Sequence, residues 1–422
     1  MLIRFLIFAL VTCVILAGAS GYLFRRLVRS FALGPRVRRA LALVLGVAAA
    51  VAVGARLLGW IPPVVLAPLE ITAYMIMLAA TFAAVILVAI DLGLLAASIP
   101  RRALRVVRVI RPASAAIPLL SLAVVAPAGA APIPAPIPLA EVPRRAFLAQ
   151  ATAGSAVLVG VSSSLYGTLI GRHDYAIEEV PARIPGLSRR LDGYTIVQLS
   201  DLHLGPFVGD AELRAAEDLV RRARPDLIIL TGDLIDHDPR YAETLGRFVR
   251  RLGACARDGV VAIPGNHDYY TGLDQVRAAV IGGGATMLIN DGRVIGDAGA
   301  GFALLGVDDL FGPRTDPRST GPDLDRALAA VPGDLPRVLL CHNPQFFPRA
   351  AGKVALQLSG HTHGGQINFG VRPARIVLGH PFIAGGYHLE GTSLYVNRGF
   401  GTAGPPARIG AAPEVSRIIL TT

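Results

Sequence analysis

Five short stretches concentrate side chains that bind divalent cations: Asp201-Leu202-His203, Gly232-Asp233, Gly265-Asn266-His267-Asp268, Cys341-His342-Asn343 and Gly360-His361-Thr362-His363-Gly364-Gly365. Their Asp, His and Asn donors, without paired cysteines, suit two hard or borderline ions rather than a structural zinc. Two cations about 3.5–4 Å apart need a bridging ligand, and a carboxylate supplies it best. Asp233 is the expected bridge; Asp201, His203 and His363 complete one metal, and Asn266, His342 and His361 the other. The two carboxylates against two dications leave a net positive site. Such a site attracts a phosphate ester, polarises its oxygens and lowers the pKa of the attacking water. His267 is placed to meet the leaving oxygen as a general acid, with Asp268 to orient it or support it electrostatically. A lone histidine is more often a packed or surface residue than a ligand, but five such motifs in sequence reverse that expectation.

Each stretch follows an apolar run that reads as a buried strand: 194–199, 226–231, 260–263, 337–340 and 354–358. Ligands at several strand ends, where loops emerge, are how an α/β sheet builds a site along one edge. Amphipathic helical patterns at 210–223, 239–252, 273–281 and 323–330 lie between these runs. Further strand-like segments at 287–290, 293–295, 302–307, 394–397 and 415–421 are assigned to a second sheet. About 230 residues suffice for one large core.

These motifs resemble the calcineurin-like metallophosphoesterase superfamily, whose pattern D-x-H, GD, GNH[DE], H and GHxH is present here in order. The resemblance covers about 194–420 and looks strongest to its bacterial membrane-anchored phosphodiesterase branch. It rests on Gln198-Leu199-Ser200-Asp201-Leu202-His203, His361-Thr362-His363-Gly364-Gly365-Gln366, Asn397-Arg398-Gly399-Phe400-Gly401, and Arg408 with Pro413-Glu414-Val415. It implies an α/β fold, a two-sheet sandwich flanked by helices, holding two divalent metal ions with the ligands assigned above. Mn²⁺ is favoured, with Fe and Zn as alternatives.

The front of the chain is of another kind. Mean hydropathy over the whole protein is +0.53, far above a soluble average. The net charge is +11, of which residues 1–171 carry +12 and the remainder −1. The excess sits between hydrophobic spans, where basic residues set membrane orientation, so nucleic acid is not an expected partner. Spans are expected at 2–24, 40–60 and 64–99, with arginine clusters at 25–39 and 101–111 on the cytoplasmic side. Glu70 and Asp91 lie near the ends of the third span, which favours interfacial placement. The organisation is therefore an all-α multi-span membrane region (1–111), a proline-rich linker (112–143), an anchor (144–171), a polar neck (172–193) and the catalytic domain (194–422). Clustered prolines favour an extended linker over a fourth helix.

Arg144-Arg145-Ala146-Phe147-Leu148, ahead of a moderately apolar run to about Ile170, resembles a twin-arginine export signal. The plainer reading is a positive-inside anchor with a coincidental arginine pair. Both place the chain beyond Ile170 outside the cytoplasm of a multi-pass plasma-membrane protein, and the first adds the twin-arginine export machinery as a partner. No convincing cleavage site is present.

Cys13, Cys255 and Cys341 offer no disulfide framework, and Cys341 reads as a small buried residue. His237 and Gln366 are candidate substrate contacts, while His173, His380 and His388 read as surface or structural residues. Phe207 and Tyr269-Tyr270 bring aromatic groups near the ligands. The favoured function is a membrane-anchored phosphoesterase acting outside the cytoplasm on phosphate mono- or diesters, lipid or cell-envelope esters among them. The alternatives are a cytoplasmic-facing UDP-diacylglucosamine-type pyrophosphatase and a sensory or transport module with a phosphatase-like domain. An external domain disfavours the former; a complete ligand set disfavours the latter.

Overall fold

The computed structural model describes residues 2–54, 61–109, 143–297, 300–369, 379 and 381–422. The expected linker, apart from Pro143, lies outside these residues, as do Trp60 and His380. Four helices open the chain: α1 (Leu2–Phe31), α2 (Pro35–Gly54), α3 (Pro63–Val109) and α4 (Arg144–Leu165). Among the described residues, Pro35–Gly54, Val64–Ser98 and Arg144–His173 are long and apolar enough to cross a membrane. The expected third span and the first arginines of the cluster after it form one helix of 47 residues, since arginine is a good helix former. At 1.5 Å per residue that is about 70 Å, more than twice a hydrocarbon core of about 30 Å. Part of α3 therefore stands outside any bilayer it crosses.

The chain divides into two compact units, one of Val14–Gly46 with Met77–Ser162, the other of Met1–Cys13, Val47–Ile76 and Ser163–Thr422. Within the first, Asp91 accepts a hydrogen bond from Tyr22 at 2.7 Å and pairs with Arg26 at 3.2 Å, so its charge is matched locally. Gly160 of α4 lies against the backbone of α3, where a Cβ would come 3.0 Å from Ala83 N. Close approach at small residues is how helices pack in lipid.

The second unit contains two six-stranded mixed sheets. The strands are β1 (Ala176–Arg183), β2 (Thr195–Leu199), β3 (Leu227–Thr231), β4 (Val260–Ile263), β5 (Thr286–Met287) and β6 (Asp291–Asp297), then β7 (Ala300–Gly306), β8 (Arg337–Leu340), β9 (Leu356–Ser359), β10 (Gly385–Leu389), β11 (Thr392–Val396) and β12 (Glu414–Thr421). One sheet runs β1-β12-β2-β3-β4-β5 and the other β10-β11-β9-β8-β7-β6. Strands β2, β3 and β4 are parallel and fully buried, which is why their sequences are mostly apolar, and the amide of buried Gln198 donates to Thr231 and the Ser359 carbonyl. Alternate side chains divide between two cores. Ile196, Ile229 and Val261 join Phe302, Val338, Leu340 and Leu358 between the sheets. Val197, Ile228 and Leu230 instead meet the helices α5 (Asp210–Ala223) and α6 (Ala242–Gly253), through Leu213, Val220, Leu245 and Phe248.

Three expectations change. The segment expected as a polar neck supplies β1, an edge strand in parallel register with β12, where Pro181 is tolerated because an edge has no second partner. Strand β12 lies in the first sheet, antiparallel to β2, and β5 pairs with β4. Both were expected in the second sheet; chain order misleads here because β12 returns across the whole domain to fill its place.

Candidate metal centre

The C-terminal ends of strands from both sheets meet at one edge. Asp201, Asp233 and Asn266 follow β2, β3 and β4, whereas His342, His361 and His363 follow β8 and β9. Donor atoms of Asp201, His203 and His363 lie within 4.8 Å of one another, as do those of Asp233, His342 and His361. Asp233 Oδ2 stands 3.6 Å from His203 Nε2 and 3.2 Å from His342 Nε2, and so faces both groups. These carboxylates and rings are buried, with His361 half-buried.

The protein fixes which ring nitrogen faces inward. His342 Nδ1 donates to the Thr231 carbonyl at 2.8 Å and His203 Nδ1 to Asp236 at 3.2 Å, leaving both Nε2 lone pairs turned to the cluster. There His203 Nε2 meets His363 Nε2 at 3.1 Å, and His342 Nε2 meets His361 Nδ1 at 3.2 Å. Asn266 Oδ1 is buried and accepts no hydrogen bond among the described residues. Inward lone pairs, a carboxylate between them and an unsatisfied amide oxygen fit divalent cations, and the absence of thiolate donors fits hard or borderline ones. Cys341 takes no part: its thiol donates to the Asn343 carbonyl and packs in an apolar cluster.

Backbone geometry at the site is unusual. Asp201, His203, Asp233, His361 and His363 all have φ between 48° and 74°, a region that non-glycine residues seldom occupy and that clusters at functional sites. Space is equally tight. A Cβ on Gly360 would collide with Ser200 Oγ and Asp201 Oδ2, and one on Gly232 would come 2.7 Å from His342 Nδ1.

His267 donates through Nδ1 to the Asp236 carbonyl oxygen at 2.8 Å, and its backbone N–H donates to Asp233 Oδ1 at 2.8 Å. Burial opposes charge on this ring, but Asp233 and Asp236 outweigh it and raise the imidazole to about 9. Dications at the neighbouring donors would push it the other way. Burial, His203 and Arg408 hold His363 well below the usual imidazole range, the neutral form a ligand needs.

Asp268 is elsewhere than expected. Its carboxylate accepts from the backbone N–H groups of Leu234, Ile235 and Gly265, stitching two ligand loops together. The carboxylate at the His267 ring is Asp236, which the sequence motifs did not single out; its signal was a second acid three residues after Asp233. His237 pairs with Asp236 at 2.8 Å and stands 5.0 Å from the His267 ring, partly exposed at the rim. Gln366 spends its amide on the loop opposite, donating to the carbonyls of Ala403 and Pro405 and accepting from Ala403 N. Tyr270 and Phe311 border the cluster, 5.2 Å from His267 and 6.0 Å from His361, whereas Tyr269 is buried on Asp308.

A profile of calcineurin-like phosphoesterases matches residues 194–365. A metallophosphoesterase of Bacillus subtilis is 33% identical over 53% of this chain and 78% of its own length. One of Aquifex aeolicus is 30% identical over 62% of this chain and 95% of its own. The chain belongs to the calcineurin-like phosphoesterase family. A Bos taurus transmembrane protein with a metallophosphoesterase domain is 34% identical over 63% of this chain, which spans 61% of that relative's length. Among the described residues, this chain has three helices long and apolar enough to cross a membrane.

Proposed function

We propose that the protein is a membrane-anchored phosphoesterase with a two-metal site, acting on phosphate mono- or diesters carried by lipids or the cell envelope outside the cytoplasm. Asp201, His203 and His363 would hold one ion, Asn266, His342 and His361 the other, with Asp233 shared. The observation that carries this reading is Asp233 Oδ2 standing within 3.6 Å of a histidine from each group. When bound, divalent cations polarise phosphoryl oxygens and lower the pKa of an attacking water.

The chain's own residues supply the rest. Asp236 and the backbone carbonyl beside it orient the His267 ring, leaving Nε2 to deliver a proton to the leaving oxygen. Tyr270 and Phe311 border the cleft with aromatic surface. A lipid-borne substrate is supported by Phe207, four residues after His203, whose ring meets Tyr74 of the apolar helix α3 at 5.9 Å. A phosphoester presented at a bilayer surface would reach this rim first. Of the expected organisation, the anchor at 144–171 and the catalytic domain at 194–422 are retained in this proposal.

The test uses full-length protein in detergent and in vesicles. It is stripped of metal, reloaded with Mn²⁺, Fe²⁺ or Zn²⁺, and assayed on soluble and lipid-borne mono- and diesters. Faster turnover of vesicle-borne esters, with two ions per chain, is expected. Full activity with one ion, or activity confined to soluble nucleotides, would refute the reading.

A further inference from the structure

Arg408 lies beyond the end of the family match, yet it is among the most deeply buried side chains, 1% exposed. Its guanidinium is spent on backbone oxygens. Nε donates to Gly401 at 3.0 Å, Nη1 to Arg398 at 2.8 Å and Ala411 at 3.1 Å, and Nη2 to Gly399 at 3.0 Å. A longer contact reaches the His363 carbonyl at 3.4 Å, and Nη2 abuts His363 Nδ1 at 3.3 Å, closing the space behind that ring.

The loop gathered by this fork is itself bonded to the first ligand stretch. Phe400 N donates to Ser200 O at 2.9 Å and Gly401 N to Asp201 O at 2.8 Å. Gly399, at φ 75°, lies so close that a Cβ would come 2.8 Å from Asp201 Cβ. One side chain therefore holds together the supports of Asp201 and of His363, which fall in the same donor group.

Arg408 is held in turn by the end of the last apolar helix. After α4 the chain makes a π-helical turn, Tyr166–Ile170, then a tight turn, Gly171–His173. Such turns are frequent at functional sites. Arg408 N donates to Gly167 O at 3.0 Å. A Cβ on Gly167 would come 2.9 Å from Ile409 Cγ1, and one on Gly171 would collide with Arg408 O. Two missing side chains thus let the helix end seat directly on the segment that carries Arg408.

We propose that Arg408, clamped by Gly167 and Gly171 at the end of the membrane-type helix, is a positioning residue that sets Asp201 and His363 for one of the two metals. This rests on the reading that Asp201, His203 and His363 hold one ion together. The segment 166–173 is then part of the metal site's support rather than a passive tether. Groups behind metal ligands commonly change affinity about 10–100-fold when altered.

The experiment uses the full chain in detergent, stripped of metal and titrated with Co²⁺ by calorimetry and visible absorption, with thermal melts to check folding. Arg408→Gln should weaken one binding event about 10–100-fold and leave the other unchanged. Arg408→Lys should not restore it, because an ammonium cannot span the separate carbonyls of a planar fork. Gly171→Ala, which leaves every ligand in place, should weaken the same event. A folded Arg408→Gln that binds both ions as wild type overturns the proposal. If that variant does not fold, unchanged affinity in Gly171→Ala overturns it instead. His363→Ala is the control: wild-type binding there would mean that the ligand assignment has failed, which is separable from a failure of Arg408's role alone.

Discussion

The Asp236 carboxylate lies 3.2 Å from His203 Nδ1 and 3.2 Å from His267 Nδ1, so one anion stands behind a candidate ligand and the candidate proton donor at once. Replacing Asp236 with Asn should therefore lower metal affinity and turnover together, each by roughly 10–100-fold, the usual reach of an outer partner. Metal titration and steady-state kinetics on one preparation test this. A loss confined to turnover would mean that His203 does not depend on Asp236.

Asp233→Asn is expected to weaken both ions, since a single carboxylate faces His203 and His342. Elemental analysis after dialysis gives the answer. Retention of two metals per chain with full turnover would remove Asp233 as the bridge.

His267→Gln should keep both metals and lose about 10²–10⁴-fold in rate, the range for a general acid. The loss should shrink for nitrophenyl esters, whose leaving group needs little protonation. An equal loss across good and poor leaving groups would make His267 a substrate-positioning residue instead.

The fourth prediction concerns the arginine pair at the start of α4. Exchanging Arg144 and Arg145 for Lys-Lys preserves charge and removes the pair an export receptor reads. Reporter fusions after Asp192 should then remain inside while fusions after Trp60 stay external. Unchanged export would leave an ordinary signal anchor, and internal wild-type fusions after Asp192 would overturn the topology.

The candidate donors stand out in sequence because their chemistry is rare and their spacing follows buried strands. The runs before Asp201, Asp233 and Asn266 are mostly apolar, as parallel strands covered on both faces require. Edge strands left less trace. Ala176–Arg183 and Gly385–Leu389 are only partly buried and hold no continuous apolar run, so the buried-strand signal fails there. The roles of Asp268 and Gln366 were hidden for another reason. Each satisfies backbone groups far away in sequence, Asp268 across to Leu234 and Gln366 across to Ala403, and no local pattern encodes such partners. Arg408 stands out in sequence as part of a terminal motif, but its burial depends on backbone oxygens of residues 398–411 that surround its guanidinium, partners no local pattern encodes.

Five of the proposed ligands hold left-handed backbones, each at a cost of roughly 1–3 kcal/mol relative to relaxed geometry. Ions that bind only the folded site offset that cost by mass action. If the proposed ligands hold metal, its supply would act as a maturation checkpoint. Copies that meet their ions early would become compact and protease-resistant, while copies that miss them would keep frayed ligand loops open to degradation. If the proposed outward topology holds and export requires a finished domain, cofactor acquisition would precede delivery, and cytoplasmic metal availability would set how many copies reach the far side of the membrane.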